Sequence, residues 1–184
     1  KQLNYRERYK YPSLRASILL NSKISKNHSL RATVNANFIT GDMFSSKNTG
    51  NNRYDTLLNS KASGSYYNMS LQWKYKPASA LELIAGASVL RSDINDETLF
   101  EPRFSIRYSF DNYQEIALGF GLHSRIEPLS VYNYRVKTGT TSRDEVNSSL
   151  KTLKSMHLSL GYSVRAGDDA NVTFEAYLQK LYDI

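Results

Sequence analysis

The feature that most constrains the fold of this chain is an alternation of apolar and polar residues, which recurs in eight segments. In residues 29–38 every even position is apolar and every odd position is polar. Residues 66–75 alternate in the same way with the odd positions apolar, and residues 155–164 with the even positions apolar. Because successive side chains of a β-strand point to opposite faces, each segment is predicted to be a strand with one apolar and one polar face. No segment has helical periodicity of useful length, so the chain is predicted to be essentially all β.

The predicted strands are long. They cover roughly residues 12–24, 29–39, 64–76, 80–91, 101–110, 114–124, 153–165 and 171–183. A strand needs about 9–11 residues to cross a bilayer, whereas strands of soluble proteins average about 5–6 residues. The alternation is weaker in the fourth strand, where Ile84 and Leu90 fall on the polar face. These lengths predict an all-β, antiparallel, up-and-down transmembrane β-barrel segment of about eight strands.

Composition agrees with a barrel and excludes a helical membrane protein. The mean hydropathy of −0.52 is too polar for transmembrane helices, and no stretch approaches the roughly 18 consecutive apolar residues that a spanning helix needs. Barrels look soluble on average because only alternate residues meet lipid. The chain has no cysteine, which excludes disulfides and thiolate metal sites.

The net charge of +7 raises the possibility of nucleic-acid binding. The basic residues, however, are spread singly along the whole chain and do not cluster on one segment. We therefore expect no nucleic-acid partner. A solvated basic lumen, or anionic neighbours such as lipopolysaccharide, explains the charge as well.

The predicted connections differ at the two ends of the strands. Tight turns are predicted at 25–28, 76–79, 111–113 and 165–169, and they alternate with long polar loops at 40–63, 91–100 and 124–152. In outer-membrane barrels the short turns are periplasmic and the long loops are extracellular. The alternation predicts that orientation for this chain.

Aromatic side chains cluster beside the predicted short turns. They are Trp73, Tyr75, Tyr108, Phe110, Tyr162 and Phe174. Amphipathic rings prefer the lipid headgroup level, so the cluster is interpreted as an aromatic girdle. The alternative is a soluble carbohydrate-binding sandwich with the rings in its core, against which strand length weighs.

The assigned orientation places both ends of the sequence on the extracellular side. A free-standing barrel keeps both in the periplasm, and the sequence ends Leu181-Tyr-Asp-Ile184 without a final aromatic residue. We therefore expect an internal block of a larger barrel, whose first and last strands pair with further strands, because open edges are not viable in lipid.

Several stretches resemble a known family. They are Glu101-Pro-Arg-Phe-Ser-Ile-Arg-Tyr108, Leu118-Gly-Phe-Gly-Leu-His-Ser-Arg-Ile-Glu-Pro-Leu129, Leu153-Lys-Ser-Met-His-Leu158, Glu175-Ala-Tyr-Leu-Gln-Lys-Leu-Tyr182, Gln72-Trp-Lys-Tyr75 and Leu81-Glu-Leu-Ile-Ala-Gly86. Taken in chain order, these stretches resemble the barrel of TonB-dependent outer-membrane receptors, particularly those with a carboxypeptidase-regulatory-like domain ahead of the plug.

The resemblance implies a barrel of about twenty-two strands with a plug in its lumen. It also implies uptake of a nutrient such as a glycan, a peptide or a metal chelate. The implied partners are outer-membrane lipid and lipopolysaccharide, the remaining strands and plug, an inner-membrane energising complex and a surface lipoprotein. A non-transporting barrel that acts as an adhesin or structural component is the alternative. The expected location is the outer membrane of a Gram-negative cell.

No catalytic, cofactor or metal site is predicted. His123-Ser124 suggests a hydrolase, but His123 falls on the polar face and no carboxylate lies at a spacing that would orient it. His157 and His28 offer no partnered metal spacing. Gly167-Asp-Asp169 is read as a turn, because calcium would require more carboxylates nearby.

Charged residues of the predicted strands share the polar face. They are Glu82, Glu101, Glu115, Glu175, Arg15, Arg31, Lys74, Arg103 and Arg107. A charge on the lipid side would cost about 2–4 kcal/mol at mid-membrane, so this segregation is first a structural requirement, and contacts to a plug or substrate path are the functional reading. In the longest loop, Tyr132, Tyr134 and Arg135 are candidate substrate-binding residues, since tyrosine rings can stack on a sugar or peptide; packing within the loop is the equal alternative.

Overall fold

The computed structural model describes residues 4–51, 53–111, 113–137, 143–145, 147, 149–167 and 170–182, with the backbone alone at 135–137 and 143–145. Its elements in chain order are β1 Tyr5–Lys10, β2 Ser13–Lys23, β3 His28–Gly50, β4 Arg53–Ala78, β5 Leu81–Ser92, β6 Glu97–Ser109, β7 Gln114–Arg125, α1 Leu129–Tyr132, β8 Arg135–Lys137, β9 Arg143–Glu145, β10 Leu153–Ala166 and β11 Ala170–Tyr182.

Nine of the strands form one antiparallel sheet. From β3 to β7 each strand pairs with the next in sequence, β7 then pairs with β10, and β10 pairs with β11. Strands β8 and β9 form a separate two-stranded sheet within the long connection. The predicted up-and-down arrangement is confirmed. Within the described part of the chain no helix is both long and apolar enough to cross a bilayer.

The first strand position of the sheet is shared by β1 and β2. Strand β2 pairs with residues 29–39 of β3, and β1 pairs with residues 42–47. Pro12 lies between them and has no N–H for the ladder, although its carbonyl accepts a hydrogen bond from Thr40 N at 3.0 Å. Strand β1 was not among the predicted strands, because tyrosine and glutamate alternate with basic residues in it and neither face is apolar.

Strands β3 and β4 form a hairpin that corrects the predicted loop at 40–63. The two strands have 23 and 26 residues and stay paired from His28↔Tyr75 to Gly50↔Arg53. The turn uses Gly50 and Asn51 with positive φ values of 109° and 49°. Both faces of residues 40–63 are largely polar, so the sequence shows no alternation of apolar and polar residues there. The backbone hydrogen bonds between the two strands form without such alternation. A strand of 23 residues spans about 75 Å, far more than the roughly 30 Å of a hydrocarbon core.

The predicted loop at 91–100 is also shorter than expected. Strand β5 continues to Ser92 and β6 begins at Glu97, which leaves a four-residue turn with Asp96 at a φ of 57°. Only the connection between β7 and β10 remains long, so the predicted alternation of short and long connections is wrong at two of three places.

The apolar face of the sheet is open to the surroundings. Leu14 is 69% exposed and Phe174 is 65% exposed. Other exposed apolar residues of this face are Ile18, Leu20, Val34, Phe38, Met69, Leu71, Trp73, Phe104, Tyr108, Phe110, Leu118, Phe120, Leu158, Leu160, Val172 and Leu178. Such a continuous surface far exceeds the apolar patches that soluble monomers expose. The described strands form no second layer over it, which removes the sandwich alternative.

An aromatic stack lies on the apolar face at the short-turn end. The rings of His28 and Tyr75 lie 4.5 Å apart and nearly parallel, and the Trp73 ring lies 5.5 Å from that of Tyr75. Trp73 Nε1 donates a hydrogen bond to His28 Nδ1 at 3.1 Å. Tyr108 and Phe110 form an edge-to-face pair on β6. His28 therefore belongs to the aromatic cluster beside the short turns, although the prediction from sequence did not include it.

The apolar cluster lies on the opposite, polar face near the loop end. Met43, Leu58 and Leu129 are buried together, with Ile94 packed against them. Leu90 is only 7% exposed and lines the same region. This explains why Leu90 departs from the alternation of the fourth predicted strand, because residues 125–132 fold back over the sheet and cover it. The covering does not extend to Ile84, which lines a groove with Gln72 and Lys74.

Both outer strands of the sheet are uncovered. Every described residue of β2 is exposed, and so is every residue of β11 except Tyr182. Among the described residues no strand pairs with the outer edge of either one. Both edges of the sheet are therefore open to pairing with further strands.

Candidate functional site

A buried carboxylate on β6 holds the start of the long connection. Glu101 is 5% exposed. Its Oε2 accepts hydrogen bonds from Ser88 Oγ at 2.8 Å and Arg103 Nη2 at 3.0 Å. Its Oε1 accepts hydrogen bonds from the Ser124 amide at 2.9 Å and from the Ser124 hydroxyl. The bonds to Ser124 fix the point where the chain leaves β7.

A second carboxylate on the same strand holds the end of that connection. Glu97 Oε2 accepts hydrogen bonds from Thr152 N at 2.6 Å and Asn95 Nδ2 at 2.8 Å. Asn95 Nδ2 also donates to Thr152 Oγ1 at 2.8 Å. Burial alone would raise the pKa of Glu97, but these bonds and the Lys154 charge outweigh it and hold the pKa below its usual 4.5. We call Glu97 and Glu101 the β6 carboxylate pair.

The connection between these two anchors packs onto the sheet through α1. Leu129 joins the apolar cluster, and Tyr132 is 3% exposed. The Glu127 amide donates to Tyr132 Oη at 3.4 Å, and Asn147 Nδ2 donates to the Val131 carbonyl at 3.0 Å. Burial is the main reason that the pKa of Tyr132 lies above its usual 10.0.

The folded-back segment and the sheet enclose a half-open cleft of about 540 Å³. Its volume is in the range of small-molecule sites. Its charged lining consists of Glu101, Arg103, Arg125 and Glu127, and its rings are those of Tyr11 and Tyr66. A few charged groups on an otherwise apolar wall can orient a polar ligand while burying its apolar part.

A second groove of about 350 Å³ lies nearer the tip of the sheet. Tyr5, Tyr9 and Tyr134 line it, together with Glu7. The rings of Tyr9 and Tyr11 are stacked at 6.3 Å with an interplanar angle of 9°. Glu7 Oε1 accepts a hydrogen bond from Ser45 Oγ at 3.2 Å, so this face of β1 points to the same side as the cleft.

The three predicted substrate-binding residues do not share one site. Tyr132 is packed inside the connection, Tyr134 is 41% exposed in the second groove, and the side chain of Arg135 lies outside the described residues. The Arg135 backbone pairs with Glu145 in the small sheet. Asp168 and Asp169 of the predicted turn lie outside the described residues as well.

Charges along the rest of the polar face form cross-strand pairs. Glu82 Oε2 lies 2.7 Å from Lys76 Nζ and 3.2 Å from Lys74 Nζ. Arg107 Nε lies 3.1 Å from Glu115 Oε1. Opposite charges on neighbouring strands stabilise the pairing modestly and leave a polar, water-compatible wall.

Two of the three histidines, which sequence spacing does not relate to each other, lie side by side on the polar face. The rings of His123 and His157 lie 4.8 Å apart at an angle of 87°. Strand register brings them together, since Ser155 pairs with His123 and Gly121 pairs with His157. Residues 34 positions apart show no spacing signal, so only the pairing of β7 with β10 reveals the contact.

This chain is similar in fold to known proteins but not detectably similar to them in sequence. No protein-family model and no curated protein matches this chain. Among solved structures, the copper transporter OprC superposes with a TM-score of 0.72 at 14% identity over 98% of this chain and 32% of its own.

Two further solved structures, both from Pseudomonas aeruginosa, are similar. The siderophore receptor PirA has a TM-score of 0.69 at 14% identity over 95% of this chain and 33% of its own. A mutant of the ferric enterobactin receptor PfeA has a TM-score of 0.70 at 12% identity over 94% of this chain and 27% of its own. The chain thus spans about a third or less of the length of these receptors. The chain therefore has the fold of one stretch of the barrel of these proteins.

Proposed function

We propose that the chain forms part of the barrel wall of a TonB-dependent receptor that imports a nutrient across the outer membrane of a Gram-negative cell. The observation that carries the proposal is the division of the sheet into an exposed apolar face and a polar face with paired charges. That division has a physical reason only if lipid covers one face and water fills the other. The receptor fold of the sheet supports import.

The outward surface supports lipid and lipopolysaccharide as partners. Arg6, Arg8 and Lys10 alternate with the inward tyrosines of β1, and they lie toward the loop end, beyond the apolar band. Arg8 forms an ion pair with Asp42, with 3.6 Å between Arg8 Nη2 and Asp42 Oδ1. Basic groups at this level suit the phosphates of an anionic outer leaflet.

The inward surface and the open edges support partners within the same receptor. The uncovered edges of β2 and β11 suit further barrel strands, since unpaired backbone is costly in lipid. The polar inner wall suits a plug. An inner-membrane energising complex and a surface lipoprotein complete the proposed assembly, and a carboxypeptidase-regulatory-like domain ahead of the plug follows from the sequence resemblance.

The cleft beneath residues 125–132 is the proposed ligand-contacting region, together with Tyr134 of the neighbouring groove. Arg135, the next residue in the sequence, stays a candidate on the sequence alone. A glycan, a peptide or a metal chelate all carry polar groups that Arg103 and Arg125 can orient. Structures named for copper, siderophores and ferric enterobactin have the same barrel fold. A metal or its chelate is therefore the first ligand class to test.

The β3–β4 hairpin favours one other candidate function. It extends well beyond the length needed to cross a bilayer and so presents a stiff surface outside the membrane. An adhesin or a structural component of a larger complex would use such a surface without transporting anything.

Growth and uptake measurements separate these functions. The gene is deleted in its host, and growth on limiting iron, copper, glycan or peptide is compared with that of a strain lacking the energising complex. We expect the same nutrient defect in both strains, together with heat-modifiable electrophoretic migration of the protein in the outer-membrane fraction. Normal growth on every nutrient with lost surface adhesion would favour the adhesin, and recovery of the protein in the soluble fraction would remove both functions.

A further inference from the structure

We infer that His123 and His157 form a binding site for a transition-metal ion, Cu²⁺ binding most strongly, on the inner wall of the sheet. This inference needs only a solvated inner face and does not depend on nutrient import. Imidazole nitrogen is a preferred ligand of Cu²⁺, Ni²⁺ and Zn²⁺, and Cu²⁺ leads that series in affinity.

The geometry of the two rings suits a shared ion. Two imidazoles bound to one ion through nitrogens at roughly 2.0–2.1 Å have ring centres about 5 Å apart. The rings of His123 and His157 lie 4.8 Å apart. Gly121 makes the approach possible, because a Cβ atom at that position would lie 3.0 Å from His123 Nε2.

The neighbours of His157 set it up as a ligand. Its Nδ1 is hydrogen-bonded to Tyr177 Oη, and its Nε2 lies 2.8 Å from Ser155 Oγ. When Nδ1–H donates to Tyr177, Nε2 presents a lone pair that accepts the Ser155 hydroxyl. A metal ion would take that lone pair in place of the hydroxyl. An oxygen partner on the far nitrogen that fixes the tautomer is the usual companion of a metal-bound histidine.

The surroundings allow a cation to approach. Tyr177 is exposed and both histidines are partly exposed on the inner face. Arg103 is the nearby positive charge, and its guanidinium is paired with the Glu101 carboxylate at 3.0 Å. No group of three His, Cys, Asp or Glu side chains suited to a metal occurs among the described residues, so water or a bound ligand would fill the other positions. Such an incompletely coordinated ion suits exchange better than structural retention.

Copper binding to the complete protein tests the inference. The detergent-purified protein is stripped with a chelator and titrated with Cu²⁺, and nitrogen hyperfine structure is read by electron paramagnetic resonance. We expect His123→Ala and His157→Ala each to weaken the two-nitrogen signal about tenfold or more, judging by the effect of lost ligands and their supports on metal affinity. His28→Ala is the matched control and should change nothing, because this third histidine lies in the aromatic stack on the outer face.

Two further variants guard against misfolding as an explanation. Ser155→Ala removes the hydroxyl that competes for His157 Nε2, so Cu²⁺ should bind as tightly as before or more tightly. Tyr177→Phe removes the tautomer-fixing contact and should weaken binding while heat-modifiable migration stays normal. An unchanged copper signal in correctly folded His123→Ala and His157→Ala proteins would overturn the inference, and so would an equal loss in His28→Ala.

Discussion

The apolar band of the sheet and the folded-back connection above it are specified in different ways. In the band, at Leu118 or Leu160 for example, the proposed surrounding is lipid, which would accept many side-chain shapes, so any side chain of suitable polarity would satisfy the position. In the connection, individual groups matter: Glu101 accepts four hydrogen bonds and Tyr132 is almost completely buried. The band is thus fixed by a pattern and the connection by particular contacts, which predicts different responses to substitution.

The largest effect is expected where the pattern is reversed. Leu160→Arg places a charge on the lipid face, and Ser159→Arg places the same charge on the polar face one residue away. We expect Leu160→Arg to lower the free energy of unfolding by about 2–4 kcal/mol and Ser159→Arg to stay within about 0.5 kcal/mol. Denaturant unfolding of the complete barrel in lipid vesicles measures both. Equal effects would contradict a lipid-facing band.

The next effect concerns the buried member of the β6 carboxylate pair. Glu101→Ala leaves Ser88, Arg103 and Ser124 without their acceptor, so we expect a loss of about 2–3 kcal/mol in the free energy of unfolding. Glu115→Gln is the control, since the Arg107–Glu115 pair is more exposed and should contribute less than about 1 kcal/mol. A similar cost in the two variants would show that residues 125–132 do not depend on this anchor.

A smaller effect is expected from one hydroxyl group. Tyr132→Phe removes the acceptor of the Glu127 amide and should cost about 0.5–1.5 kcal/mol. Tyr134→Phe, at an exposed ring, should cost less than about 0.5 kcal/mol. Ultraviolet titration supplies a second measurement, because Tyr132 should ionise above its usual pKa of 10.0. Ionisation of every tyrosine at the usual pKa would contradict the burial of Tyr132.

The smallest effect is a local response to acid. The pKa of Glu97 is lower in the folded state than its usual 4.5, so its stabilising bonds are fully present above that pH and are lost as the pH falls through the lowered value. Hydrogen exchange of the Thr152 amide, which donates to Glu97 at 2.6 Å, should therefore accelerate beyond the intrinsic rate as the pH falls through that lowered pKa. Glu97→Gln should show fast exchange without this pH dependence. Constant protection down to pH 2 would argue against an ionised anchor.

The sequence predicted the sheet better than it predicted the site. Alternation places Leu30, Val34 and Phe38 on one face whatever their neighbours are, so strands and faces follow from local sequence. It fails for β1, where Glu7 lies between two tyrosines on one face and the other face is basic. It also fails for Leu90, which is apolar on the inner face because Leu129 and its neighbours cover that region. The sequence around Leu90 does not indicate that a distant segment covers it.

The contacts of the site depend on separations that local patterns do not contain. Glu97 and Thr152 lie 55 positions apart, and Ser124 lies 23 positions from Glu101. The position of Glu101 on the polar face was predicted correctly, but nothing in the adjacent sequence identifies Ser124 as its hydrogen-bond partner. His123 and His157 likewise required the register of β7 with β10.

The continuous ladder of the β3–β4 hairpin has a consequence for binding at its tip. Residues near Gly50 are connected to the sheet by paired strands, and the pairing is interrupted only by irregularities near Ser45 and Asn48. A molecule that docks near this tip would therefore freeze few backbone rotations, so more of its contact energy would remain as affinity. A stiff hairpin also reaches a smaller volume of solution than a flexible loop does. Binding here would therefore favour ligands that are complementary to the hairpin without a change of its conformation.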